Sequence, residues 1–381
     1  MKQRVASGVE PFLGTSATDR ILKPAGGGNL LSAVESVLTI FLGKKAAFAL
    51  VSGIVDRAIF LKGNSPETAR TRPQWSVRGL AKKLPPGWTR LVVLTAGCYL
   101  ALGLAAFAVW WRTDDPAWVE LFFRTPGALA ALCLATIELW FSLHVIRQFA
   151  PGEALRPAWM LIGCSAGCNL AGVVLSEVPG ARLQLLPAHL AMGLEAAASR
   201  WREIGLTLAG TYRFALLAAG LYYALKVYRQ SGFLKQLRVL DWILLAIPAG
   251  YVVHNISGQV ADLWLGKWPE IWVALRWLVD PLLWLLLVQA LLLFRSVRGM
   301  GEGWTSRCWG SYSTAVFLTS LGDIGVWAAN QGNLPRPLIS LTWYAWLPAA
   351  AAFALAPAYQ LEAIREAIRG SQTRSGAGQA V

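Results

Sequence analysis

The chain has 381 residues, of which 55% are hydrophobic and only 15% charged, with a mean hydropathy of +0.47. That composition excludes an ordinary soluble domain and describes a polytopic membrane protein. The formal charge of +14 needs no nucleic-acid partner, because short cytoplasmic loops of such proteins accumulate Lys and Arg.

The opening MKQRVASGVEPFLG lacks the continuous apolar core of a cleaved leader, so the mature chain is expected to start near Met1. Gly26, Gly27 and Gly28 do not form a phosphate loop, since no Lys followed by Ser or Thr closes the pattern. After them come two helical patterns, ending at Gly43 and Gly63, which predict an amphipathic hairpin over about 29–62. Its apolar run from Ala46 to Val55 is too short to span and suits the cytoplasmic leaflet or a protein partner. Lys62 to Gly87 is rich in Pro, Arg and Lys and reads as a linker.

Eight apolar runs follow that are long enough to cross a bilayer. They are Leu91–Trp111, Gly127–Ile146, Pro157–Leu175, Ile204–Leu225, Leu240–Ser257, Ile271–Phe294, Ser311–Asn330 and Leu338–Tyr359. Basic residues alternate between the connections. Arg78, Lys82 and Lys83 precede the first span, Arg147 and Arg156 follow the second, Lys226 and Arg229 the fourth, Arg295 and Arg298 the sixth, and Arg365 and Arg369 the eighth. These connections are assigned to the cytoplasm, with both termini, of a bacterial-type inner (plasma) membrane. The chain carries 19 tryptophans, several of them, including Trp111, Trp159, Trp242, Trp268 and Trp309, where a span should meet the headgroups. Of the cysteines, Cys164 and Cys168 share a face with Gly163, Gly167 and Ala171, a stripe that favours close helix packing over redox or metal work.

Charges inside apolar segments are costly and mark a pocket or a lock between helices. Arg276 and Asp280 are one turn apart and can neutralise each other on one face, and Pro281 frees the carbonyl of Trp277. Asp323, His254, Asn255 and Arg213 fall in the outer half by residue counting, and Glu138 lies near the middle of the second span. These seven are the candidate ligand-binding residues, with Arg276 and Arg213 expected to attract an anionic or polar ligand from outside. The competing reading is a purely structural set of helix-locking ion pairs.

Cofactor chemistry is not indicated. His144, His189 and His254 provide no pair at matched depth for a haem, no span carries a central lysine for a retinal Schiff base, and neither an HExxH metal motif nor a GxSxG hydrolase motif is read in the sequence. The expectation is an all-α integral membrane protein, a bundle of about eight transmembrane helices with a small amino-terminal helical region. Residues 1–90 form the cytoplasmic amino-terminal region, 91–359 the bundle, and 360–381 a cytoplasmic helix and disordered tail. With no encoded output domain, a sensory or partner-binding module with a protein partner at the cytoplasmic face is favoured over an enzyme. A proton-coupled carrier is the second reading and a scaffold of a larger membrane complex the third.

Overall fold

The computed structural model describes residues 2–13, 18, 21–22, 30–44, 46–48, 50–52, 54, 88–113, 127–185, 199–298, 303–331 and 343–375. The linker expected after the hairpin, the outer connection over 186–198 and the tail over 376–381 lie outside them. Among the described residues there is no strand. The amino-terminal part contributes α1 (Lys2–Leu13) and α2 (Leu30–Leu42). The bundle comprises α3 (Trp88–Thr113), α4 (Ala128–Gln148), α5 (Arg156–Leu185), α6 (Ser199–Gln230), α7 (Val239–Trp264), α8 (Ile271–Arg298), α9 (Trp304–Gln331) and α10 (Trp343–Ser375).

All eight expected spans are therefore helices, and seven are long and apolar enough to cross a membrane. The exception, α9, is 28 residues long but rich in Thr, Ser and Gly. The structure explains the composition: α9 packs along both α8 and α10, so much of its surface faces protein. Ser313 Oγ, for example, donates to the Ala290 carbonyl of α8 at 2.8 Å. At the other extreme, α7 lies at the periphery, with Ile243, Ile247, Val253 and Trp264 exposed. An apolar face of that size suits a hydrocarbon surrounding.

The amino-terminal helices join the main core. Val34, Leu38, Phe41 and Leu42 of α2 are buried at the spacing of one helix face. Polar contacts fasten this region to one end of the bundle. Gln360 Nε2 donates to the Phe41 carbonyl at 2.7 Å, Thr305 Oγ1 to the Phe12 carbonyl at 3.1 Å, and the Lys44 amide to Glu153 Oε1 at 2.7 Å. Gly43 makes the turn with φ +83°, the left-handed region that favours glycine.

The tryptophans divide into two populations. Trp111, Trp242 and Trp268 are exposed, in keeping with an interfacial belt, but Trp159 and Trp309 are wholly buried with ring centroids 5.9 Å apart. Those two are core residues rather than headgroup anchors. Trp309 continues to Tyr228 (6.2 Å) and Tyr312 (5.8 Å), and Tyr228 to Phe41 of α2 (5.1 Å). An aromatic seam thus runs from the amino-terminal helices into the bundle.

Close packing through small residues occurs at the expected stripe and beside it: a Cβ at Gly163 would come within 2.7 Å of Ile146 Cδ1 of α4, and Gly172 follows Ala171. A Cβ at Gly172 would come within 2.6 Å of the Gly205 carbonyl oxygen, and one at Gly205 within 2.8 Å of the Gly172 carbonyl oxygen, whereas Gly167 has open space. The backbones of α5 and α6 touch at this pair of glycines.

Candidate functional site

The seven sequence-derived residues separate into two groups. Glu138 and Arg213 belong to a buried cluster in the body of the bundle. Arg213 Nη1 donates to Asn169 Oδ1 at 2.9 Å, Arg213 Nη2 lies 3.4 Å from Glu138 Oε2, and Asn169 Nδ2 donates to the same carboxylate at 3.2 Å. Phe353 of α10 covers the guanidinium, its ring centroid 4.4 Å from Cζ. One charge from α4, one from α6 and an amide from α5 thus neutralise each other away from solvent, the condition for a buried pair to be tolerated. Arg213 is engaged here and does not join the acidic residues of α8 and α9.

The second group surrounds a break in α8. The helix runs from Ile271 to Arg276, turns at Trp277 and Leu278, and resumes from Val279 to Arg298. Pro281 offers no amide to the Trp277 carbonyl, so the ladder fails where the sequence places the proline. Opposite, α6 widens into a π-helical segment over Leu208–Tyr212, and Thr211 Oγ1 donates to the Leu275 carbonyl at 2.8 Å. Such single-turn widenings recur at functional sites.

The break changes the partners expected for Arg276 and Asp280. A continuous helix would stack these side chains at i and i+4. Instead Arg276 Nη2 lies 2.6 Å from Glu203 Oε2 of α6. Asp280 accepts from Asn255 Nδ2 at 2.9 Å and from the Tyr251 hydroxyl at 3.4 Å, both on α7. Asp323 on α9 accepts from Trp346 Nε1 of α10 at 2.9 Å. A Cβ on Gly322 would collide with the Trp346 indole, so this glycine lets the ring approach α9 closely and reach the carboxylate. His254 is exposed and presents its ring to Trp327, centroids 5.7 Å apart.

Tyr251, Arg276, Asp280, Asp323, Trp327 and Trp346 line an open cleft of about 370 Å³. A smaller cavity of about 10 Å³ adjoins it, sharing Tyr251, Asp280 and Asp323 and adding Ser320. The site therefore combines two carboxylates held by neutral donors with aromatic walls. Of the seven candidates, Arg276, Asp280 and Asp323 line the cleft, Asn255 and His254 support it, and Arg213 and Glu138 stand apart.

Sequence reasoning passed over Glu203, Tyr251, Trp327, Trp346 and Asn169. Two of these carry a spacing signal: Tyr251 is one turn before Asn255, and Trp327 one turn after Asp323. The reading that no GxSxG motif occurs is wrong, since GCSAG, Gly163–Gly167, has the spacing of a hydrolase nucleophile elbow. Such an elbow requires a strand-to-helix turn and an exposed serine. Here Ser165 lies within α5, is buried, and donates to the Arg213 carbonyl at 2.9 Å, so it is a hydroxyl bonding helix to helix.

Compared with protein-family models, with curated proteins and with solved structures, the chain matches none of them.

Proposed function

We propose that this polytopic membrane protein is a sensory or partner-binding module that takes a small polar ligand into the cleft beside the α8 break. The observation that carries this reading is the convergence of Asp280, Asp323, Arg276 and an aromatic wall from four helices on one cavity of about 370 Å³. That volume is in the range of small-molecule sites, which pair apolar walls with a few placed polar groups. Positive-inside counting turns the cleft toward the outer face of an inner membrane, with both termini in the cytoplasm. The amino-terminal helices, fastened to the opposite end, are where a cytoplasmic protein partner would read a change in the bundle.

The test is a screen of small solutes for thermal stabilisation of the detergent-purified protein. Stabilising solutes are expected to lose their effect in Asp280→Ala and Asp323→Ala. Stabilisation unchanged by both substitutions would sink the reading.

A second reading, a proton-coupled carrier, draws support from the break itself, since carriers bind substrates at discontinuous helices. It predicts uptake into proteoliposomes that follows a pH gradient and disappears in Asp280→Asn. Ligand stabilisation without such transport favours the sensor.

A further inference from the structure

The expectation of an anionic or polar ligand rests on Arg276 and Arg213 facing the pocket, and the contacts around the cleft favour a cationic one. Arg213 is engaged with Glu138 and Asn169, and Arg276 with Glu203. Among the described residues, Asp280 and Asp323 receive hydrogen bonds only from an amide, a phenol and an indole, and neither forms an ion pair. Counting Asp280, Asp323 and Glu203 against Arg276 leaves, among the described residues, a formal excess of two negative charges.

The small cavity supplies an independent observation. Ser320 lines it together with Asp280 and Asp323. This serine is 7% exposed and its Oγ has no hydrogen-bond partner among the described residues, although a helical serine ordinarily bonds back to the preceding turn. A cavity of about 10 Å³ holds one group the size of a water molecule. It opens beside the cleft walled by Trp327 and Trp346.

On the reading of the cleft as a ligand site, we infer that its ligand is a small organic amine whose primary ammonium group enters the cavity at Asp280, Asp323 and Ser320. Three N–H donors meet two carboxylates and a hydroxyl, and the organic body lies against Trp327 and Trp346. The ammonium offsets the charge excess, and the adjoining rings favour a cation over a neutral group. Trimethylation removes all three donors and makes the head too large for the cavity.

The test uses the full-length protein in detergent near neutral pH, with three probes of nearly equal shape: phenethylamine, 2-phenylethanol and phenylacetate. Binding is read by thermal shift and by tryptophan fluorescence. Phenethylamine is expected to bind at least about tenfold more tightly than the other two, as one desolvated charged contact requires. The trimethylated amine should bind about tenfold more weakly than the primary amine for want of those donors. Asp280→Asn and Asp323→Asn should each weaken phenethylamine by a similar factor. Should either variant fail to fold, Ser320→Ala and Trp327→Leu provide the same comparison, each with an expected loss of about threefold or more. Preferential binding of phenylacetate or 2-phenylethanol that depends on Trp327 would overturn the amine assignment and leave the cleft as a site. Phenethylamine stabilisation unaffected by any of these substitutions would overturn the assignment outright. No binding by any probe would overturn it too, and the solute screen then decides separately whether the cleft is a site.

Discussion

Arg213 and Glu138 show what a single side chain does at low dielectric. Removing either partner leaves the other charge buried, a change that costs about 3–5 kcal/mol. Arg213→Met and Glu138→Leu are each expected to unfold at markedly lower temperature than the parent. The double variant should recover most of the loss, because it removes both charges from an apolar setting. Thermal unfolding of the three variants checks this, and additive losses would mean that the two groups do not act as a pair. A second ion pair makes the same argument near the other end of α8. Arg295 grips Asp241 through Nε and Nη2 at 2.8 and 2.5 Å, and Asp241 also caps the start of α7 by accepting from the Arg238 amide at 2.8 Å. Lysine cannot reproduce the two-pronged contact, so Arg295→Lys should destabilise nearly as much as Arg295→Ala.

Between elements, the decisive contacts are made by residues without side chains. Gly172 and Gly205 allow the backbones of α5 and α6 to touch, and close packing through small residues is one of the forces that associate helices in a bilayer. Gly205→Leu would drive a side chain into backbone atoms of α5, and a cost of about 1–3 kcal/mol is expected from overpacking. Thermal unfolding is the measurement, with Gly167→Leu as the control, since Gly167 faces open space. Gly322 has a different task, because it seats Trp346 against Asp323. Gly322→Val should displace the indole, visible as a change in tryptophan emission, and should weaken any cleft ligand without unfolding the bundle.

For the whole molecule, the number of crossings decides which side each terminus occupies. Although α9 is less apolar than its neighbours, it packs as a full member of the bundle against α8 and α10. Single cysteines placed within 299–302 and 332–342 are expected to label from opposite sides of the membrane. Labelling from one side would make α9 a non-spanning helix and put the two termini on opposite faces. The same experiment orients the cleft relative to the amino-terminal helices docked at Phe41 and Phe12.

Composition and apolar run length determined the fold class and the position of every helix in the bundle. A lipid solvent leaves a chain of this hydropathy little choice but helices of about 20 residues. The presence of charge inside the spans, and the proline that breaks α8, were legible in the same way. The partners were not. Sequence spacing pairs Arg276 with Asp280 on the assumption of an unbroken helix, and depth counting groups Arg213 with the outer charges. Only the packing of α6 against α8 hands Arg276 to Glu203, and only the convergence of α4, α5 and α6 hands Arg213 to Glu138. Local periodicity is a property of one segment, whereas the charge and shape of a cavity depend on which faces of several helices meet, and that was decided by tertiary structure alone.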